Sequence, residues 1–220
     1  MIAHEIAHGY AALRQGDETA LDAGRLSWNP VKHIDPVFTI LLPLLMLAGS
    51  AAIGHGGLVI GGAKPVPVDP RNYRHLRRGD IIVSLAGVAT NLVVAIACAL
   101  LIVLVGLLGR VTDALSVTLG ILQAMFVIGI FLNATLIAFN LLPIPPLDGS
   151  HVLKYLLPRR LAVAYVRFGR FGILALIAIL AFWPRGLQLW LGPAQYVASN
   201  TVEALVNLGL VLPSAGPWLQ

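Results

Sequence analysis

The chain has 220 residues, 58% of them hydrophobic and only 11% charged, and its mean hydropathy is +0.84. A soluble domain of this size carries about a quarter charged residues, so the composition excludes an ordinary soluble protein and implies a membrane protein that enters the bilayer several times. The net charge of +5 then concerns topology and calls for no nucleic-acid partner, and the lone Cys98 excludes a disulfide framework or a thiolate metal site.

The chain opens MIAHEIAHGY. Read as a helix, this places His4 and His8 one turn apart on one face, with Glu5 beside the first. Such a pair converges on one Zn²⁺, and the intervening carboxylate serves as general base toward water. Ionisable groups inside a membrane segment cost roughly 2.5–3.5 kcal/mol each on insertion scales, so they face a cavity and do chemistry. Only Met1–Ala3 precede the motif. An apolar stretch of at least about 15 residues is expected upstream to complete a span, and no cleavable signal peptide is expected.

Asp17, Glu18 and Asp22 follow in a polar turn. Gly24–His33 (GRLSWNPVKH) is a candidate sheet edge, to which an extended substrate would add a strand. His33, His55, His75 and His151 are read as ordinary loop histidines. The first apolar segment, Pro36–Ile53, contains Pro43, and Gly49, Gly54, Gly56, Gly57, Gly61 and Gly62 crowd its end. A continuous helix avoids such residues, so Asp35–Lys64 is expected to dip into the membrane and return. The basic connection GGAKPVPVDPRNYRHLRRGD comes next, then the apolar runs Ile81–Leu108 and Ala114–Leu142. The second of these, as one helix, would be about 43 Å long against a hydrocarbon core of about 30 Å. Pro143, Pro145 and Pro146 end it. Asn133 reads as a helix-to-helix hydrogen bond, and Asn140, beside the proline break, as a functional residue. Leu161–Trp183 is a further span. Leu187–Leu212 is the weakest, since it carries Gln188, Gln195, Asn200 and Glu203.

Two histidines leave a catalytic zinc one protein ligand short, and a carboxylate commonly supplies it. Asp69 and Asp80 have arginines nearby, and Asp113 lies in a tight turn. Asp148 stands alone after the prolines and is the preferred third ligand, with Glu203 as its rival. Gly149 beside it frees the backbone.

HEIAH followed by NLLPIPPLDG (Asn140–Gly149) resembles the site-2 proteases, intramembrane zinc metalloproteases that cut transmembrane substrates. GRLSWNPVKHIDP (Gly24–Pro36) and GGAKPVPVDPRN (Gly61–Asn72) are similar to the compact bacterial branch without a PDZ domain. LAGVATN (Leu85–Asn91) resembles the head of a core helix, with Val88 and Ala89 departing from the family pattern. The resemblance implies that His4, His8 and Asp148 bind zinc, that Glu5 is the base, and that Asn140 and Asn91 bind the substrate backbone or the developing oxyanion. It also implies a β-hairpin near the active site.

The expected architecture is an all-α polytopic membrane protein of about five to six transmembrane or re-entrant helices with that small hairpin. Residues 1–160 are the expected metalloprotease core and 161–220 accessory helices. The expected function is zinc-dependent cleavage of transmembrane segments, the alternative being an inactive truncated relative that binds membrane peptides. The expected partners are transmembrane proteins or peptides and membrane lipid. The basic residues Lys64, Arg71, Arg74, Arg77, Arg78, Lys154, Arg159 and Arg160 outweigh Arg110 and Arg185 on the other side. Their loops are therefore expected to be cytoplasmic, in a bacterial cell membrane.

Overall fold

The computed structural model describes residues 1–41, 43–44, 47, 61–111 and 115–218. They fall into two compact units, residues 1–87 and 88–220.

The first unit is built on α1 (Ile2–Gln15). Glu5 in its first turn and Arg14 in its last complement the helix dipole. Gly16 ends it with φ 104°, returning its N–H to the carbonyls of Ala12 and Leu13. That left-handed conformation suits glycine, and a Cβ there would also stand 3.2 Å from the Asn72 carbonyl oxygen. A short α2 (Thr19–Asp22) follows. Residues 24–29 have no regular structure, and Pro30–His33 is a 3₁₀ turn whose first amide is capped by Asn29. No strand occurs among the described residues, so the hairpin edge expected at Gly24–His33 is irregular chain here. Most of the expected re-entrant stretch Asp35–Lys64 lies outside the described residues; its start, Pro36–Leu41, is a π-helical turn.

From residue 61 the chain has no regular structure until a 3₁₀ turn at Pro70–Asn72. It then enters α3 (Leu76–Gly109). Ala12, Tyr73 and Val83 form the buried apolar centre of this unit. Gly9 lets the loops close on α1, because a Cβ there would meet Leu26 Cδ2 at 2.4 Å and Val66 Cγ1 at 3.0 Å.

The second unit contains α4 (Ser116–Asn140), α5 (Asp148–Leu156), α6 (Arg159–Phe168), α7 (Gly172–Phe182) and α8 (Pro184–Asn207). Three helices among the described residues are long and apolar enough to cross a membrane: Leu76–Gly109, Ser116–Asn140 and Arg159–Ile179. The last of these runs through α6 and most of α7. The polar residues of α8 keep it out of this group. Ile102, Val127, Ile130 and Ala198 form the core. The fully buried Gln123 donates to the carbonyls of Ile102 (2.9 Å) and Leu210 (2.7 Å) and accepts from the Leu212 amide (2.8 Å). One amide side chain thus satisfies the irregular backbone after α8, as an apolar medium demands.

The end of α4 is held by its neighbours in the same unit. Trp190 Nε1 donates to the Ala138 carbonyl (2.7 Å), Tyr165 donates to the Pro143 carbonyl (3.0 Å), and Gln195 bonds Thr135. Gly149 matters here for space. It has no positive φ, but a Cβ on it would sit 2.2 Å from the Leu141 carbonyl oxygen.

Candidate active site

In the first unit α1 brings two expected residues together by helical spacing alone. The Nε2 atoms of His4 and His8 lie 3.0 Å apart, their rings edge to face. Two ligands bound at 2.0–2.1 Å to a tetrahedral zinc stand about 3.3 Å apart, so the pair needs only a small adjustment to share one ion.

The tautomer is fixed from outside the helix. His8 Nδ1 donates to the Val83 carbonyl oxygen at 2.7 Å. A carbonyl only accepts, so in the neutral ring Nδ1 carries the proton and Nε2 presents its lone pair. This is the arrangement by which metal-ligating histidines are oriented.

Space for an ion comes from Gly87 on α3. A Cβ built there would lie 2.5 Å from His8 Nε2 and 2.6 Å from His4 Nε2. The donor set and this gap fit a metal such as zinc.

Glu5 is also anchored. Its Oε2 accepts from the Val66 amide at 2.9 Å, which leaves Oε1 to receive a proton. Val66 lies in the stretch GGAKPVPVDPRN. A cavity of about 460 Å³ is lined by Ile2, Pro30, His33, Thr39, Pro43 and Gly62, among others. His33, read as an ordinary loop histidine, is buried. Its Nε2 donates to the Ser27 carbonyl (2.8 Å), and its own carbonyl accepts from the Lys64 amide (2.8 Å). It ties the loop before the π-helical turn to the loop that follows.

Asp148, Asn140 and Asn91 belong to the second unit. Asp148 is the first residue of α5, where the helix N-terminus favours a carboxylate. Asn140 ends α4 and donates from Nδ2 to the Leu136 carbonyl (2.9 Å), while Asn133, expected to bond a neighbouring helix, donates within its own helix to the Gly129 carbonyl (2.8 Å) and to no other helix among the described residues. Asn91 is buried on α3. The rival ligand Glu203 is exposed on α8, a helix without histidine.

Sequence reasoning missed the Val83 carbonyl, the Val66 amide and the space at Gly87. Gly87 and Val66 lie inside LAGVATN and GGAKPVPVDPRN, so the signal was in those stretches but its reason was spatial.

A histidine pair with an oriented lone pair and a tethered carboxylate is a donor set suited to metal-dependent hydrolysis. Comparison with known proteins makes this specific. The profile of peptidase family M50 matches residues 1–182. The chain belongs to that family, the site-2 proteases. It is 35% identical over 187 residues to the Bacillus subtilis (strain 168) protein named "Putative zinc metalloprotease YwhC", covering 85% of this chain and 78% of that one. It is 33% identical over 210 residues to the Mycolicibacterium smegmatis protein named "Putative zinc metalloprotease Rip2", covering 91% of this chain and 73% of that one. The Mycobacterium tuberculosis (strain H37Rv) Rip2 is 31% identical over 214 residues, covering 95% and 74%. No solved structure matches the chain.

Proposed function

We propose that this membrane protein is an intramembrane zinc endopeptidase that cleaves transmembrane segments of other membrane proteins. The observation that carries this is the histidine pair, with its Nε2 atoms 3.0 Å apart and the His8 tautomer set by Val83, in a chain with three described helices long and apolar enough to cross a membrane. Family membership and the zinc metalloprotease names of the relatives support both the metal and the reaction. They leave the inactive-module alternative without support.

His4 and His8 hold the metal through Nε2, and Asp148 is the third ligand. What supports Asp148 is its place at a helix start beside a glycine that tolerates no side chain, together with the pairing of HExxH and LDG in one sequence. When bound, zinc supplies Lewis acidity to water and to the scissile carbonyl. Glu5 takes the proton of the attacking water on Oε1, while the Val66 amide holds Oε2, and it then delivers that proton to the leaving amine nitrogen. Asn140 and Asn91 bind the substrate backbone or the developing oxyanion. We assign Gly24–His33 as the segment that receives an unwound substrate strand.

Helical substrates expose no free carbonyl, so cleaved segments carry residues such as glycine, asparagine or proline that unwind readily. We read 1–160 as the catalytic core and 161–220 as accessory helices. The protein lies in a bacterial cell membrane, with its basic loops cytoplasmic.

The test is cleavage of a single-pass reporter together with zinc analysis of the purified protein. Glu5→Gln is expected to keep about one zinc per chain and lose cleavage. His4→Ala, His8→Ala and Asp148→Ala are expected to lose zinc. Cleavage by Glu5→Gln would overturn the reading, and full zinc occupancy in Asp148→Ala would transfer the third position to Glu203.

A further inference from the structure

Asp17 was set aside above as a polar-turn residue, yet its side chain is fully buried. Its carboxylate accepts four hydrogen bonds. Oδ1 takes the Thr19 amide (3.2 Å), the Thr19 hydroxyl and Asn72 Nδ2 (2.9 Å), and Oδ2 takes the Asp69 amide (2.7 Å). The Thr19 bonds are local and would serve any turn. The bonds to Asp69 and Asn72 reach 52 and 55 residues along the chain and have no local purpose. The Asp69 side chain turns outward to Arg71 at 2.7 Å. Its negative charge is thereby neutralised away from Asp17 while its amide points in.

The segment so gripped is KPVPVDP, Lys64–Pro70. Pro65, Pro67 and Pro70 lock their own φ and have no N–H. Each also confines the residue before it to extended backbone, and Asp69 indeed has φ −117° and ψ 103°. Few conformers remain to such a segment, so fixing one end fixes the other. Only Val66, Val68 and Asp69 have an amide proton between Pro65 and Pro70. Two of these go to carboxylates, Asp69 to Asp17 and Val66 to Glu5.

We infer that Asp17 is the positioning residue for the general base. It clamps a proline-stiffened strap whose other end, the Val66 amide, sets the orientation of Glu5. The inference rests on the proposed role of Glu5, but the clamp itself is measurable without it. Four residues beyond the strap, the Arg74 amide donates to the Gln15 carbonyl (2.8 Å), so this run of chain is tied to both the start and the end of the metal-binding helix. Asp17 acts at a distance and touches no reacting atom. Its loss should therefore change turnover and leave metal and substrate binding in place.

The experiment uses the full chain purified in detergent, with zinc content, reporter kinetics and hydrogen exchange of peptides covering residues 64–72. Asp17→Ala is expected to keep zinc, keep KM within about twofold, lower kcat at least about tenfold, and speed strap exchange at least about tenfold. Asp17→Asn, which retains one acceptor oxygen, should fall between wild type and alanine. Asn72→Ala, which deletes one of the four donors, should shift exchange and kcat in the same direction by less; it stands in for Asp17→Ala if that variant does not fold. Unchanged strap exchange in Asp17→Ala, or a loss of turnover that merely follows a loss of zinc, would overturn the clamp. If Glu5→Gln were active the catalytic reading would fall, whereas the exchange result would still decide whether Asp17 holds the strap.

Discussion

Polar groups are held in two ways in this molecule. Around α1 two carboxylates accept from backbone amides of irregular, proline-rich chain: Glu5 from Val66, Asp17 from Asp69. Around α4 the donors are side-chain amides and an indole, and the acceptors are helix carbonyls: Gln123 with Ile102, Asn140 with Leu136, Trp190 with Ala138. The first arrangement fixes where a reactive atom points, since a short stiff segment cannot be moved without breaking a charge-assisted bond. The second satisfies polar atoms among apolar helices and fixes how helices lie together. Damage to the first should appear as lost chemistry, and damage to the second as lost stability.

Gly87→Ala is the severest test of that contrast. Its methyl group would meet both Nε2 atoms at 2.5–2.6 Å. Zinc measured by mass spectrometry is expected to drop from about one per chain to below about a tenth, with the helical circular dichroism unchanged. Retention of zinc would mean that α3 yields there, and that the site is softer than its hydrogen bonds suggest.

Gly149→Ala should be next, because its methyl would clash with the Leu141 carbonyl at 2.2 Å. Overpacking of this kind costs about 1–3 kcal/mol. Both the thermal midpoint and zinc occupancy should fall.

Gln123→Leu should lower the midpoint through buried groups left unpaired, about 1–3 kcal/mol, while leaving kcat per folded molecule unchanged. A fall in kcat larger than the fall in stability would erase the distinction between the two regions.

The smallest effect is a pH dependence. Burial alone would raise the Asp17 carboxyl, but its hydrogen bonds from Thr19, Asn72 and Asp69 outweigh that and hold it below its ordinary value of 3.8. A depressed folded value means the bound proton favours unfolding. The stability from Asp17 is therefore complete above the ordinary value and is lost as pH falls through the lowered one. Chemical denaturation of wild type should show this acid limb, and Asp17→Asn should flatten it.

Much of this was legible in the sequence. The apolar runs Ile81–Leu108 and Ala114–Leu142 became Leu76–Gly109 and Ser116–Asn140, because hydrophobic length and the proline stop are local properties. The pairing of His4 with His8 follows from helical spacing and needed no tertiary information. Asp17 was read as a turn because two of its three partners lie more than fifty residues away. His33 was read as an ordinary loop histidine because nothing local predicts its burial or its bond to the Lys64 amide. Gly149 was credited with backbone freedom, when its lack of a side chain is what the Leu141 carbonyl requires. Properties written in neighbouring residues were readable; those written in the return of a distant segment were not.

The indole of Trp190 has its N–H held by the Ala138 carbonyl at 2.7 Å, two positions before Asn140. That makes it a built-in optical reporter for the α4 terminus. With Trp28, Trp183 and Trp218 replaced by phenylalanine, emission would come from this ring alone, and its wavelength responds to whether the N–H bond is kept or given up to solvent. Stopped-flow fluorescence on such a chain would time any movement at the end of α4 as metal or a membrane peptide is added, with no label attached.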